Sequence, residues 1–381
     1  MLQKLEVKNF LALRNVAIDL EPFTVIVGPN ASGKSTILEA IHRLCALKSG
    51  QGRVLVEGGD FPEKLVDQPR LSPNEVLSRN ANPLIEWKVI FETGEMGMTL
   101  KSENPMAPTQ SQWAMNLRLP LHGINQNIYY QDNPYESIAS HKITIAETVP
   151  DSINLRPNGQ RMALASYSPL KKPILESDGG GLATVCVNIQ QEQPDTFERI
   201  QAALKAVIPT IKRFRLRRVD ATRKNYVNRE PNPDWTGIAE ELLFDFEDAS
   251  DVPAKYVSEG TLLALCILTA AARFEGEAVV LIDDLERGLH PRAVHDLVKT
   301  LRKLQEVNPQ LQIIATSHSP YVLDQLQPHE VRVVTRDAEL GTVVGRLSDH
   351  PNFEKWQSAM LPGEFWSHVG EDWLLKQTQH A

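Results

Sequence analysis

The segment that most constrains the fold is residues 23–35. Residues 23–27, FTVIV, form an unbroken apolar, β-branched run, the pattern of a strand buried on both faces. Gly28-Pro29-Asn30-Ala31-Ser32-Gly33-Lys34-Ser35 follows at once and fits G-x-x-x-x-G-K-[ST]. A helix is expected from Ser35 to about Leu47, because Ile37, Leu38, Ile41, Leu44 and Cys45 fall on one face. A loop of this kind wraps successive backbone N–H groups around a polyphosphate. It needs glycine wherever φ is positive or the backbone comes close. The helix that follows points its positive dipole end at the same phosphates. Gly28, Asn30, Ser32, Gly33, Lys34, Ser35 and Thr36 are therefore the candidate nucleotide-binding residues. Lys34 reaches the β and γ oxygens, and the Ser35 hydroxyl is a candidate Mg²⁺ ligand. A glycine turn that merely joins a strand to a helix would share the spacing. The buried strand before it and the amphipathic helix after it favour the phosphate reading.

A second buried run, residues 278–282 (AVVLI), ends in Asp283 and Asp284. Carboxylates at the carboxyl end of such a strand lie where open α/β sheets bind ligands. Asp283 is a candidate metal ligand, and Asp284 a candidate general base or water positioner. Two solvated carboxylates opening a loop would look the same in isolation; the phosphate loop gives the pair its weight. Around these runs, residues 2–7 and 16–20 alternate like half-buried strands. A helix apolar on nearly all sides is expected at about 260–273, a second helix at about 291–307 and a third buried strand at 311–315. Residues 331–335 and 342–346 read as a strand pair.

The middle is less patterned. Residues 85–91 and 96–100 read as a hairpin, 101–112 and 131–137 as polar loops, and 148–181 as irregular chain. One helix is expected over 182–208, stopped by Pro209, with strands at 211–219 and 240–246. The expected architecture is α/β. A core split between 1–47 and 255–350 is interrupted by a β-rich and helical insertion or lid at 48–254, and a tail occupies 351–381.

Composition narrows the classes. The longest near-apolar run, 261–272, falls short of the ~20 residues of a membrane helix, and the alternating N-terminus lacks the apolar stretch of a signal peptide. The three cysteines, Cys45, Cys186 and Cys266, are far apart, which argues against a disulfide framework or zinc ribbon and fits a reducing cytoplasm. The 381 residues carry a net charge of −8, so any nucleic-acid contact has to be local. One basic stretch offers it: Lys212, Arg213, Arg215, Arg217, Arg218, Arg223 and Lys224, opposed only by Asp220. It could grip DNA phosphates, dock an acidic partner protein, or be a solvated strand compensated by acids elsewhere.

In order, the residues 28–35, Val257-Ser258-Glu259-Gly260-Thr261, Leu281–Asp284, Gly288-Leu289-His290-Pro291 and Thr316-Ser317-His318-Ser319-Pro320 resemble the motifs of ABC-type ATPases. With Leu5-Glu6-Val7-Lys8-Asn9-Phe10 they resemble the SMC/RecF/OLD branch, often called AAA family ATPases. The resemblance covers about 1–47 and 255–326. It implies a P-loop ATPase head built on a mixed sheet with flanking helices, taking ATP and Mg²⁺. It makes Ser258 and Gly260 a clamp on the γ-phosphate held by the opposite protomer. It makes His318 the γ-phosphate-sensing switch, and Leu289-His290-Pro291 a loop crossing a head-to-head dimer. Taken alone, Ser258 would pass for an ordinary helix N-cap and His318 for a loop histidine. Asp284 stands where the family usually has Glu. The shorter arm draws the carboxylate back by about 1.5 Å, so slow hydrolysis is expected, with Glu286 able to share the role. Arg14 is a candidate adenine contact.

The branch serves several tasks. Sustained heptads of an SMC coiled coil are absent from the insertion. Only 63 residues follow His318, too few for the Toprim nuclease of OLD proteins. The resemblance is closest to the ATPase subunits of two-component anti-phage systems, which regulate a separately encoded nuclease or toxin. A RecF-like DNA repair ATPase and a nucleotide-gated scaffold with negligible hydrolysis are the alternatives. The aromatic C-terminus reads as packing against the core, or as a partner-docking tail.

Overall fold

The computed structural model describes residues 1–45, 47–50, 53–56, 84–91, 94–102, 113–119, 124–129, 150–168, 170–222, 226–227 and 236–378. Of the loop expected at 101–112, residues 101 and 102 instead close the strand Gly94–Ser102, and the rest, like the loop expected at 131–137, lies outside the described residues. The chain divides into two compact units. One comprises residues 1–152, 312–320 and 326–381, the other 153–311 and 321–325.

The first unit holds the strand–loop–helix that dominates the sequence. Strand Phe23–Val27 is buried at every position. It pairs in parallel with strand Leu311–Ser317 on one side and with strand Val331–Asp337 on the other. Val331–Asp337 pairs antiparallel with Gly341–Arg346, giving the mixed sheet. All these strands fall within two residues of their expected ends, because an apolar run buried on both faces has few other ways to hide. Helix Lys34–Cys45 follows the loop, with Ile37, Leu38, Ala40, Ile41 and Cys45 buried.

A second sheet in this unit is antiparallel, in the order Leu13–Asp19, Leu2–Phe10, Leu84–Phe91, Gly94–Ser102, Trp113–Leu119, Ile124–Tyr129. The hairpin expected at 85–91 and 96–100 is present and longer at both strands. Strands 113–119 and 124–129 add to the expected hairpin: in WAMNLRL, Trp113, Met115, Leu117 and Leu119 alternate with Ala114, Asn116 and Arg118, a legible strand pattern, whereas INQNIY is too polar to alternate. The C-terminal tail takes the core-packing alternative. Trp373 and Leu374 are buried, and they crowd Gly345 so closely that a Cβ there would sit 2.4 Å from Leu374 Cδ2. His350 stands edge-on to Phe365 and Trp373, each ring centroid 5.2 Å away. Burial lowers its pKa from the usual imidazole value.

The second unit opens within strand Asp151–Leu155, which neighbours strand Ala278–Ile282. The first of these corrects the expectation of irregular chain over 148–181, as does the short helix Gly159–Met162. Helix Glu259–Ala272 buries nearly every residue, and helix Pro291–Val307 presents one apolar face. The single helix expected over 182–208 is two, Leu182–Glu192 and Pro194–Val207. Pro194 is the reason: it lacks an N–H and clashes with the preceding turn, so it ends one helix and starts the next as its first residue. Strands Ile211–Thr222 and Thr236–Phe246 pair over nearly their whole length. Among the described residues, no helix is long and apolar enough to cross a membrane.

Candidate functional site

In the first unit, the sheet register sets the phosphate loop. Val333 lies opposite Val27, so the Val334 carbonyl overhangs the loop's first residue. Gly28 has φ +149°, and a Cβ on it would lie 2.0 Å from that carbonyl oxygen. Gly33 has φ +105°, and a Cβ there would lie 2.4 Å from Thr342 Oγ1. Both glycines are thus required by close approach as well as by backbone conformation. Ala31 also sits at positive φ, +60°. Such a series of turns leaves successive N–H groups aimed inward.

Lys34 is only 6% exposed, and its ammonium donates to the carbonyls of Gly28 and Pro29 at 2.9 and 2.8 Å. Its charge is held over the loop mouth by the loop's own backbone. Ser32 is buried, and its Oγ has no hydrogen-bond partner among the described residues. A buried hydroxyl left without a partner is costly, so it marks a place where a ligand oxygen fits. Asn30 and Ser35 are exposed, and Thr36 is half-buried at the start of the helix.

His318 joins this site through the same sheet. Ser317 is paired with Val27, so His318 and Gly28 leave adjacent strands side by side. Ser317 is fully buried and its Oγ accepts the N–H of Ser319 at 3.0 Å, which turns the chain and leaves His318 exposed. Thr342 went unnoticed in the sequence. Its hydroxyl donates to the Ser32 carbonyl at 2.9 Å across 310 residues, bracing the loop. No local signal marks such a residue. Arg14 donates to the Glu339 carbonyl and packs beside Gly341, on the strand after the Asn9–Leu11 turn.

In the second unit, Asp283 and Asp284 end the strand Ala278–Ile282, both half-buried. The Asp283 N–H donates to the Leu155 carbonyl at 2.9 Å, and its carboxylate lies 3.5 Å from Arg156 Nε. Asp284 has φ +58°, in the left-handed region. Asp tolerates that region better than Glu, because its short polar side chain can bond locally. This is a physical reason for the shorter acid. Glu286 is half-buried one turn on, and its carbonyl accepts the Leu289 N–H.

Ser258 is the N-cap of helix Glu259–Ala272. Its Oγ accepts from the Thr261 N–H at 3.3 Å and lies 2.8 Å from Thr261 Oγ1. Gly260 abuts the loop after the acids: a Cβ on it would lie 2.1 Å from the Gly288 carbonyl oxygen. Arg287 links the same parts, with Nη2 3.2 Å from Glu259 Oε1 and Nη1 donating to the Pro157 carbonyl at 3.3 Å. The structure therefore gathers Ser258, Gly260 and the 283–288 turn within this unit.

The basic stretch is a different object from the one its composition suggests. Arg213 and Arg215 both bond Asp245, each at 2.9 Å, and Arg215 also reaches Asp251 at 2.7 Å. Arg217 bonds Glu241 at 2.6 Å, Arg218 lies 3.4 Å from Glu240, and the Lys212 ammonium donates to the Glu247 carbonyl. Of the three alternatives, the described arginines fit the strand compensated by acids elsewhere: they form a charge-balanced ladder between two strands. Arg215, the Asp251 N–H and Arg213 together hold the Asp245 carboxyl well below the usual range. Asp245 in turn raises the Arg215 guanidinium. Arg223 and Lys224 lie outside the described residues.

Comparison with known proteins places these parts in a wider setting. Residues 23–324 match the family described as "AAA domain, putative AbiEii toxin, Type IV TA system". The chain is 23% identical over 356 residues to the Septu protein PtuA of Bacillus mycoides, covering 89% of this chain and 41% of that protein. It is 23% identical over 374 residues to the OLD nuclease of Thermus scotoductus, covering 92% of this chain and 65% of that protein. The chain thus spans less than two thirds of the length of either relative. Among solved structures, the Smc head bound to the C-terminal winged-helix domain of ScpA aligns with a TM-score of 0.55 at 16% identity, over 93% of this chain and 99% of that one. The Pyrococcus furiosus Smc head with an extended coiled coil aligns with the same TM-score at 13% identity, over 94% and 99%. At these identities the likeness is one of fold.

Proposed function

We propose, from the premise that the chain belongs to this AAA-domain family and has the head fold of the SMC/RecF/OLD-type ATPases, that it is an ATP-hydrolysing switch which regulates a separate effector protein. The observation that carries the reading is the phosphate loop. Two glycines no other residue could replace, a buried lysine poised on the loop's carbonyls and an unpartnered buried hydroxyl together fit a polyphosphate.

In this reading Gly28, Asn30, Ser32, Gly33, Lys34, Ser35 and Thr36 hold ATP. The Ser35 hydroxyl in the first unit and the Asp283 carboxylate in the second are each candidates to hold Mg²⁺, which would neutralise phosphate charge. Among the described residues no three His, Cys, Asp or Glu side chains gather into a metal site of their own. A cation that arrives with the nucleotide needs few protein ligands, since phosphates and water supply the rest. Asp284, helped by Glu286, orients the attacking water, and His318 senses the phosphate beside Gly28. Ser258 and Gly260 present the start of a 14-residue helix to the nucleotide of a second copy, closing a head-to-head dimer. The core-and-lid division of the chain, with residues 48–254 as the insertion, belongs to the same proposal. The likeness to a Septu protein and to a family named for a toxin–antitoxin system favours a role in anti-phage defence, in the cytoplasm. The paired arginines count against a DNA repair ATPase that grips DNA at this strand.

The test is nucleotide binding and turnover by the purified chain. Wild type should bind ATP in a Mg²⁺-dependent manner and hydrolyse it slowly. Asp284→Asn should bind and accumulate as an ATP-loaded dimer in size-exclusion chromatography with light scattering. Binding without any turnover in wild type would leave the nucleotide-gated scaffold as the better reading.

A further inference from the structure

Among the described residues the strand Ile211–Thr222 has an unpaired edge, and its chemistry suits one kind of partner. In the sheet order, Ile211–Thr222 lies outermost, with Thr236–Phe246 as its only neighbour among the described residues. The direction of its backbone groups follows from one side chain. Gln201 Oε1 accepts the Phe214 N–H at 3.0 Å and Gln201 Nε2 donates to the Phe214 carbonyl at 2.8 Å. Both groups of Phe214 therefore point away from the paired strand. In an antiparallel ladder this direction alternates. Leu216, Arg218 and Asp220 thus also aim N–H and C=O outward, and no other described residue caps them as Gln201 caps Phe214. A row of unpaired donors and acceptors of this length is a template for another strand.

Charge selects what could pair there. Arg217 and Arg218 flank the open edge on opposite faces, with side chains 50% and 73% exposed. Arg217 bonds Glu241 through Nη2 alone, and Arg218 meets Glu240 at 3.4 Å through Nε alone. A guanidinium has five N–H donors, so each keeps most of its fork for a second carboxylate on the outer side. Asp220, exposed at the far end, has no ion-pair or side-chain partner among the described residues and would favour a cation opposite it.

We propose that Leu216–Thr222 is a docking edge for an extended segment of a partner protein, which adds as a strand. It carries two adjacent acidic residues opposite Arg217 and Arg218, and a basic one opposite Asp220. The main chain supplies the affinity and the charges fix the register. This deepens the effector side of the proposed function and rests on it. It is read by binding without nucleotide, so its failure and that of the ATPase are told apart.

The probe is a capped octapeptide, Thr-Val-Glu-Glu-Val-Lys-Val-Thr, with its reversed sequence to distinguish parallel from antiparallel addition. Isothermal titration of the full chain should show one of the two binding more tightly than about 1 mM, with the other weaker. Exchanging the glutamates for lysines should abolish binding. Leu216→Pro removes an outward N–H at a position an edge strand tolerates, and should weaken binding at least tenfold with the melting temperature little changed. If that variant does not fold, N-methylating alternate peptide residues makes the same cut on the probe, and methylation in one phase only should abolish binding. The proposal is overturned if neither peptide binds at millimolar concentration, or if binding survives N-methylation in both phases. It is equally overturned if a DNA duplex occupies this edge and displaces the peptide.

Discussion

The phosphate loop and the arginine strand both place several polar groups in a short stretch, and they solve opposite problems. Lys34 is nearly buried, and what holds it is its own loop's carbonyls. A phosphate can compete for such an ammonium, because backbone carbonyls are weaker partners than an anion. The arginines at 213–218 are largely exposed, yet each already has a fixed carboxylate across the strand. Their charge is balanced within the fold, although Arg217 and Arg218 each engage it through a single nitrogen. In the loop, function comes from backbone shape, which glycine makes possible. In the strand, the positive charge that composition suggests is cancelled by residues more than 20 positions away.

The largest effect should come from breaking the loop's shape. Gly28→Ala puts a Cβ within 2.0 Å of the Val334 carbonyl, which is backbone and cannot swing aside. Strain at such a position costs of order 1–3 kcal/mol before any clash is counted. The variant should lose ATP binding and show a lower melting temperature. Lys34→Ala keeps the shape and removes the charge. ATP affinity should fall at least 100-fold, about 2.8 kcal/mol or more, while the melting temperature moves by only a few degrees. Retained binding in Lys34→Ala, read by titration calorimetry, would sink the site assignment. Gly260→Ala is intermediate: it strikes the Gly288 carbonyl at 2.1 Å, within the second unit. It should spare ATP binding by the monomer and impair turnover.

Legibility in the sequence followed the same divide. The strand Phe23–Val27, the glycine loop, the strand Ala278–Ile282 and helix Pro291–Val307 were readable because each is specified by its own residues. Thr342, the overhanging Val334 carbonyl and the pairing of Ser317 with Val27 were not. They depend on which distant strands become neighbours. The break at Pro194 was visible in principle, but the helical periodicity on either side masked it. The arginine run leaves its alternatives open for a related reason. Glu240, Glu241 and Asp245 belong to another strand, and only the register sets them against the arginines. The left-handed backbone of Asp284 has no sequence signature beyond the choice of Asp itself.

The smallest effects test the ladder. Asp245 carries its pH dependence, since Arg215, the Asp251 N–H and Arg213 all favour its charged form. The folded-state pKa lies below the value of about 3.9 that an unfolded Asp shows. Its contribution is therefore complete above that value and is lost as pH falls through the acid range towards the folded pKa. Asp245→Asn should lower the melting temperature at neutral pH and flatten the decline seen on acidification below about pH 4, read by differential scanning calorimetry across pH. An unchanged acid limb would mean that the carboxylate is not the group the arginines hold. Arg217→Ala, by contrast, removes one half-exposed partner of Glu241. Exposed pairs contribute little, so the melting temperature should shift by less than about 2 °C. Because the ladder is balanced, duplex DNA binding by Arg217→Ala should match wild type at any fixed salt concentration. A loss of DNA affinity with a reduced salt slope would show instead that Arg217 meets phosphate, and that the strand is closer in kind to the phosphate loop than its ion pairs imply.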